Sequence, residues 1–227
     1  MMEGESKQMA GNILGNNMVN VTGKIVNDLE FSHELYGEQF YNFILEVPRL
    51  SDVKDMLPIT ISNRLFEGIN LGPGTRVKIE GQLRSYNRQS PNGGKNRLIL
   101  TIFARDIMVV SDDEYIKNPN EIFLDGFICK DPVYRTTPFG REISDLLIAV
   151  NRPYSKSDYI PVIAWGRNAR FCEKLKVGDH IKLWGRVQSR EYQKRGENNE
   201  IITRTAYEVS ITKMEKANKD ELISTEQ

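Results

Sequence analysis

The chain has 227 residues, with 31 Lys and Arg against 31 Asp and Glu, two histidines, two cysteines and 39% apolar residues. That length suits one or two domains with compact cores. No stretch approaches the roughly 18 consecutive apolar residues that cross a bilayer, and the opening residues 1–6 lack the basic-then-apolar order of a secretion signal. A cytoplasmic protein without a membrane partner is therefore expected. Cys129 and Cys172 form no C-x-x-C pair and are read as buried thiols, so no metal or other cofactor is expected. Zero net charge, taken alone, argues against a nucleic-acid partner, because phosphate-gripping proteins usually carry a basic excess.

Laid over itself, the chain repeats. At an offset of 103, Gly23 falls on Gly126, Ile25 on Ile128, Gly37 on Gly140, Arg49 on Arg152 and Pro58 on Pro161. After a one-residue insertion the offset becomes 104, and Gly74 meets Gly178, Gly81 meets Gly185, Ser85 meets Ser189 and Ile107 meets Ile211. So long a period means a duplicated domain, not a solenoid.

In chain order, residues 1–18 are a polar N-terminus expected to be loosely ordered. Residues 19–110 form the first repeat, with a short helical connector expected over 63–70 before Gly72-Pro-Gly74. A polar linker occupies 111–120. The second repeat, 121–214, opens with strand-type runs at 122–128, 143–150 and 159–165, parted by the turn chemistry of Asp131-Pro132 and 137–140. A helix is expected over 167–176, stopped at Val177-Gly178-Asp179. Strands at 180–185, 187–192 and 203–211 follow around the polar loop 194–200, and 215–227 form a polar tail. Strand, strand, strand, helix, strand, strand is the order of a five-stranded Greek-key barrel, the OB-fold. The fold class is all-β, with two tandem OB-folds, each carrying a short helix between its third and fourth strands. Divided this way, the charge is −1, +1, −2, +4 and −2 from the N-terminus to the tail. Neutrality is an average, and the second repeat is basic.

The runs 130–140 and 147–154, with Val162-Ile-Ala-Trp-Gly-Arg167, Leu175-Lys-Val-Gly178 and 185–192, strongly resemble the bacterial single-stranded DNA-binding protein family. The resemblance covers the second repeat; the first is a weaker match, clearest at 74–84, and its 56–62 is similar to the primosomal replication protein relatives. It implies single-stranded DNA as partner and places base-stacking aromatics at Tyr154, Tyr159, Trp165 and Tyr192. Arg135, Arg167 and Arg190 match phosphate-contacting positions, with Arg152, Lys156, Lys176 and Arg186 close in sequence. Non-specific single-strand binding needs a basic groove and exposed aromatic faces, each stacked base adding about 1–3 kcal/mol. A tyrosine here can also be a half-buried core residue with a wet hydroxyl. Trp184 departs from the family pattern and is read as either a binding residue or a subunit contact. The first repeat lacks the aromatic set and is expected to supply structure, an interface, or phosphate contacts through Arg84, Arg88 and Arg97.

Members with one fold commonly act as tetramers, so a two-fold chain is expected to form a homodimer with four folds. The family's acidic tail usually ends in a Pro-Phe tip for replication and repair proteins; here the sequence ends in 219–227 without it, which puts such partners in doubt. Catalysis is not expected, since Gly72-Pro-Gly74 precedes a strand and no G-K-[ST] loop exists. The expected role is stoichiometric coating of single strands in replication, recombination or repair. The alternative is a replication-restart protein-interaction module with secondary DNA binding.

Overall fold

The computed structural model describes residues 15–88, 97–195 and 200–217. Residues 1–14 of the expected loose N-terminus (1–18), 196–199 of the polar loop (194–200) and 218–227 of the expected tail (215–227) lie outside the described residues, whereas 17–18, 194–195 and 215–216 are strand, contrary to expectation. The first half contains β1 (Asn17–Ile25), β2 (Glu30–Leu35), β3 (Glu38–Pro48), β4 (Lys54–Ser62), a 3-10 turn (Asn63–Leu65), β5 (Arg76–Arg88) and β6 (Arg97–Val109). The second contains β7 (Asn120–Thr136), β8 (Glu142–Arg152), β9 (Lys156–Trp165), helix α1 (Arg167–Cys172), β10 (His180–Arg195) and β11 (Ile201–Lys216).

Period-two alternation builds each strand. In β9, Ile160, Val162 and Ala164 are buried while Tyr159 and Trp165 face out. β7, β8 and β9 form an antiparallel meander, β9 then runs parallel to β11 through Val162 and Ile163, and β10 closes the ring against β7. The first half closes in the same way, with β4 parallel to β6 and β5 antiparallel to β1. Each half is a five-stranded OB barrel, β1 and β2 together corresponding to the single long β7. The cores are also duplicates: Val21 and Leu124, Leu45 and Ile148, Leu57 and Ile160, Ile79 and Leu183 are all fully buried.

Two of the glycine pairs that mark the repeat, Gly23 with Gly126 and Gly81 with Gly185, sit where a strand runs close to a neighbour. A Cβ on Gly81 would lie 2.4 Å from the Phe103 carbonyl oxygen, and one on Gly185 2.2 Å from that of Ser210, beside the bulges of β5–β6 and β10–β11.

Several local expectations are corrected. Asp131-Pro132 does not turn the chain; β7 continues to Thr136 through register shifts at Ile128/Lys130 and Lys130/Val133, which absorb the N–H that proline lacks. The helix over 167–176 ends at Cys172, where Leu175 N donates to Cys172 O at 3.0 Å and tightens the last turn. The connector over 63–70 shrinks to Asn63–Leu65, capped by Ser62 Oγ accepting from Arg64 N at 3.2 Å. The two strands expected over 180–192 are one, bulged between Trp184 and Gly185. Of the thiols, Cys172 is buried and Cys129 only half-buried.

The halves join along β1 and β7, antiparallel, with Val19 opposite Ile122, its own counterpart at an offset of 103. A pseudo-twofold axis therefore passes through that pair, and contacts across the junction come in reciprocal pairs. The fully buried Asp55 accepts from Ser189 N at 2.8 Å, and the fully buried Asp158 accepts from Ser85 N at 2.7 Å. Ser189 Oγ accepts from Met56 N at 3.0 Å, and Ser85 Oγ from Tyr159 N at 2.7 Å. Within each half the seam strands are braced in the same way: Asn17 bonds both backbone groups of Leu83 in β5, and Asn120 those of Val187 in β10. Removing one partner of a buried ion pair typically costs about 3–5 kcal/mol. Asp55→Ala and Asp158→Ala should each lower the urea unfolding free energy by roughly that amount; an unchanged midpoint for both would show that the junction does not hold the halves together.

Candidate nucleic-acid interface

The expected aromatics spread along β9 and β10 instead of gathering at one point. Tyr154 lies in the β8–β9 turn with φ of 61° and is 94% exposed; Lys156 begins β9 beside it. Tyr159 and Trp165 point from the same face of β9, 46% and 38% exposed, six positions or about 20 Å apart. Arg135 of β7, Ile143 of β8 and Trp165 of β9 form one row across three strands, and Arg135 Nε donates to Asp145 at 2.9 Å. Arg167 opens α1 and is exposed, as is Lys176 beyond its end.

On β10 the alternate residues Arg186, Gln188, Arg190 and Tyr192 share a face. A groove of about 520 Å³ brings Trp165 together with Arg186 and Arg190, and adds Arg49 and Arg141, which sequence reasoning misses. In the sequence Arg49 stands out only as a repeat match to Arg152, and nothing in residue type distinguishes Arg141, next to a turn glycine. Both arrive by tertiary placement.

The remaining arginines are engaged differently. Arg84 and Arg152 converge on Asp158, at 3.1 and 3.4 Å, so both guanidiniums are held by the junction. Arg88 is exposed at the end of β5, opposite Arg97, with Tyr86 exposed nearby. Trp184 lies against Phe123 of β7, ring centroids 5.2 Å apart, with Lys213 Nζ 4.4 Å over its ring. It is not among the residues lining the groove.

The groove is electrostatically uneven. Arg49 donates through Nε and Nη2 to Asp55 at 2.8 and 2.6 Å, and that hydrogen bonding raises its pKa. Arg186 has its pKa lowered, first by burial and next by the neighbouring Arg49 charge, with Asp55 opposing. Its buried Nε has no hydrogen-bond partner among the described residues. Arg190 Nε lies 3.7 Å from Glu208, while Arg141 is exposed with no ion pair among the described residues. Two close guanidiniums with one carboxylate between them leave positive charge facing the groove. Such a surface can take an anion and stack a planar ring on Trp165. Among the described residues no group of His, Cys, Asp and Glu is arranged to hold a metal ion, and no helix is long and apolar enough to cross a membrane.

The model of the single-strand binding protein family matches residues 119–217. A single-stranded DNA-binding protein from Deinococcus radiodurans is 28% identical over 153 residues, covering 60% of this chain and 51% of the relative. The chain spans about half the length of the curated relatives it matches. The crystal structure of the wild-type single-stranded DNA binding protein from Thermus aquaticus is 21% identical with a TM-score of 0.69, covering 89% of this chain and 93% of that one, a likeness of fold. The N-terminal domain of the PriB protein from Thermoanaerobacter tencongensis is 70% identical over 43% of this chain and 99% of its own, with a TM-score of 0.38. The family match over residues 119–217 falls on the second barrel, and the likeness of fold extends over both OB barrels.

Proposed function

We propose that the chain binds single-stranded DNA without sequence preference and acts stoichiometrically, holding strands unpaired and shielding them in replication, recombination or repair. The observation that carries this reading is the groove in which Trp165 opens beside Arg49, Arg141, Arg186 and Arg190. Stacking is sequence-tolerant because every base has a π face, and guanidiniums meet the phosphates that every nucleotide carries. The family match supports the same partner. Tyr159, Tyr154 and Tyr192 extend the stacking line, and Arg135, Arg167 and Lys156 stand beside it. Arg84 and Arg152 serve the junction in this reading, and Arg88 joins Arg49 as a phosphate contact of the first barrel. A homodimer with four OB-folds is the assembly proposed, resting on the family resemblance. The role is binding, not catalysis.

Trp165→Ala and Tyr192→Ala should each weaken oligo-dT binding by about 1–3 kcal/mol in fluorescence anisotropy. Unchanged affinity in both would remove them from the interface. For the unaltered protein the logarithm of the binding constant should fall linearly with the logarithm of salt concentration. A salt-insensitive or absent interaction would favour a protein-interaction role instead.

Sedimentation of the unaltered chain should give twice the 26.1 kDa chain mass; a monomer at working concentration would overturn the dimer.

A further inference from the structure

The pseudo-twofold axis makes two related clefts at the junction, and they differ sharply. One, of about 480 Å³, is lined by Arg49, Leu50, Lys117, Asn120 and Arg186. Its counterpart, lined by Asn16, Asn17, Gln82, Arg84, Arg105 and Arg152, holds only about 10 Å³.

A transposition of two residues accompanies the difference. At an offset of 104, Gln82 corresponds to Arg186 and Arg84 to Gln188, so arginine and glutamine exchange places. On the closed side Arg84 reaches the buried Asp158, Gln82 Oε1 accepts from Arg84 and from Arg105, the latter at 2.9 Å, and Asn16 Nδ2 donates to Asn151 O at 2.8 Å. On the open side Gln188 turns to Glu208 at 2.8 Å and cannot supply the second guanidinium. Arg186 stays in the cleft with an orphaned Nε, its Nη2 donating to Gln188 Oε1 at 3.3 Å. Lys117 is exposed and has no ion pair among the described residues. The one carboxylate on the lining, Glu121, accepts from Asn118 Nδ2 at 2.8 Å.

The open cleft and the Trp165 groove share Arg49 and Arg186. We infer that the open cleft is a phosphate-binding continuation of that groove, through which one single strand passes from the second barrel over the junction, its backbone held by Arg186, Arg49 and Lys117. This rests on the single-strand reading above and adds a path to it: the first barrel contributes through Arg49, and the strand crosses on one side of the axis only.

The test uses the full chain and oligo-dT of about 20 nucleotides, longer than a single OB-fold usually spans. Arg186→Gln installs the residue that the closed side carries, and Lys117→Gln removes the second cation. The double variant should bind several-fold more weakly at low salt. Its salt slope should fall by about 0.7 for each phosphate that is no longer neutralised. Tryptophan quenching by saturating oligo-dT should persist, because stacking on Trp165 is untouched. Unchanged affinity and slope in a variant with the same urea midpoint would overturn the cleft while leaving the single-strand reading intact. Absence of oligo-dT binding by the unaltered chain would overturn that reading itself. Should Arg186→Gln loosen the junction, Lys117→Glu carries the test alone: a weaker complex with a lower slope supports the path, and an unchanged one refutes it.

Discussion

The constraint on which the molecule depends is the exchange of buried carboxylates across the junction. Asp55 and Asp158 are fully removed from water, and each takes a backbone N–H from the opposite half. A carboxylate is tolerated in such a place only when cations and hydrogen-bond donors compensate its lost hydration. Those groups come from both halves, so sliding or parting the barrels would strand two charges at once. The β1–β7 ladder adds directional bonds along the same seam. The two OB surfaces are thereby fixed relative to each other, and a flexible ligand can meet them as one surface.

Duplication fixed the interior and left the outside free to diverge. Core pairs such as Val21 and Leu124 keep both apolar character and burial because close packing penalises a change of even one methylene that the neighbours do not absorb. Surface positions feel no such restraint. Opposite Tyr159 and Trp165 of the second barrel, the first has approximately Met56 and Ser62. The arginine and glutamine exchanged between β5 and β10 lie between these extremes, since one arginine closes its cleft and the other leaves its cleft open. Pseudo-symmetry of the backbone therefore does not imply symmetry of binding.

Much of this is legible in the sequence. Alternation of period two marks the strands because one face of each must enter a barrel, and the repeat shows partly through glycines such as Gly81 and Gly185, where a Cβ would meet a neighbouring carbonyl. Asp131-Pro132 misleads because proline and aspartate favour turns locally, while pairing with β8 carries the strand through as a bulge. Residue type and spacing single out the site residues one at a time along β8 to β10, and sequence order does not reveal that Arg84 and Arg152 meet at Asp158. Arg49 and Ser189 stand 140 residues apart. Only the folded junction brings such groups together, and no local pattern records it.

The balanced charge has the same explanation. An electrostatic field depends on where charges sit and how they are screened, not on their sum. Asp55 and Asp158 are buried and engaged by internal guanidiniums, and Glu208, 9% exposed, accepts from Gln188. Arg49 and Arg186 keep part of their guanidiniums at the groove while their countercharge lies behind them. A phosphate approaching from solvent meets the cations first and the carboxylates only through protein. A chain with equal numbers of acids and bases can in this way present a locally cationic groove, because the carboxylates nearest it, Asp55 and Glu208, are turned inward.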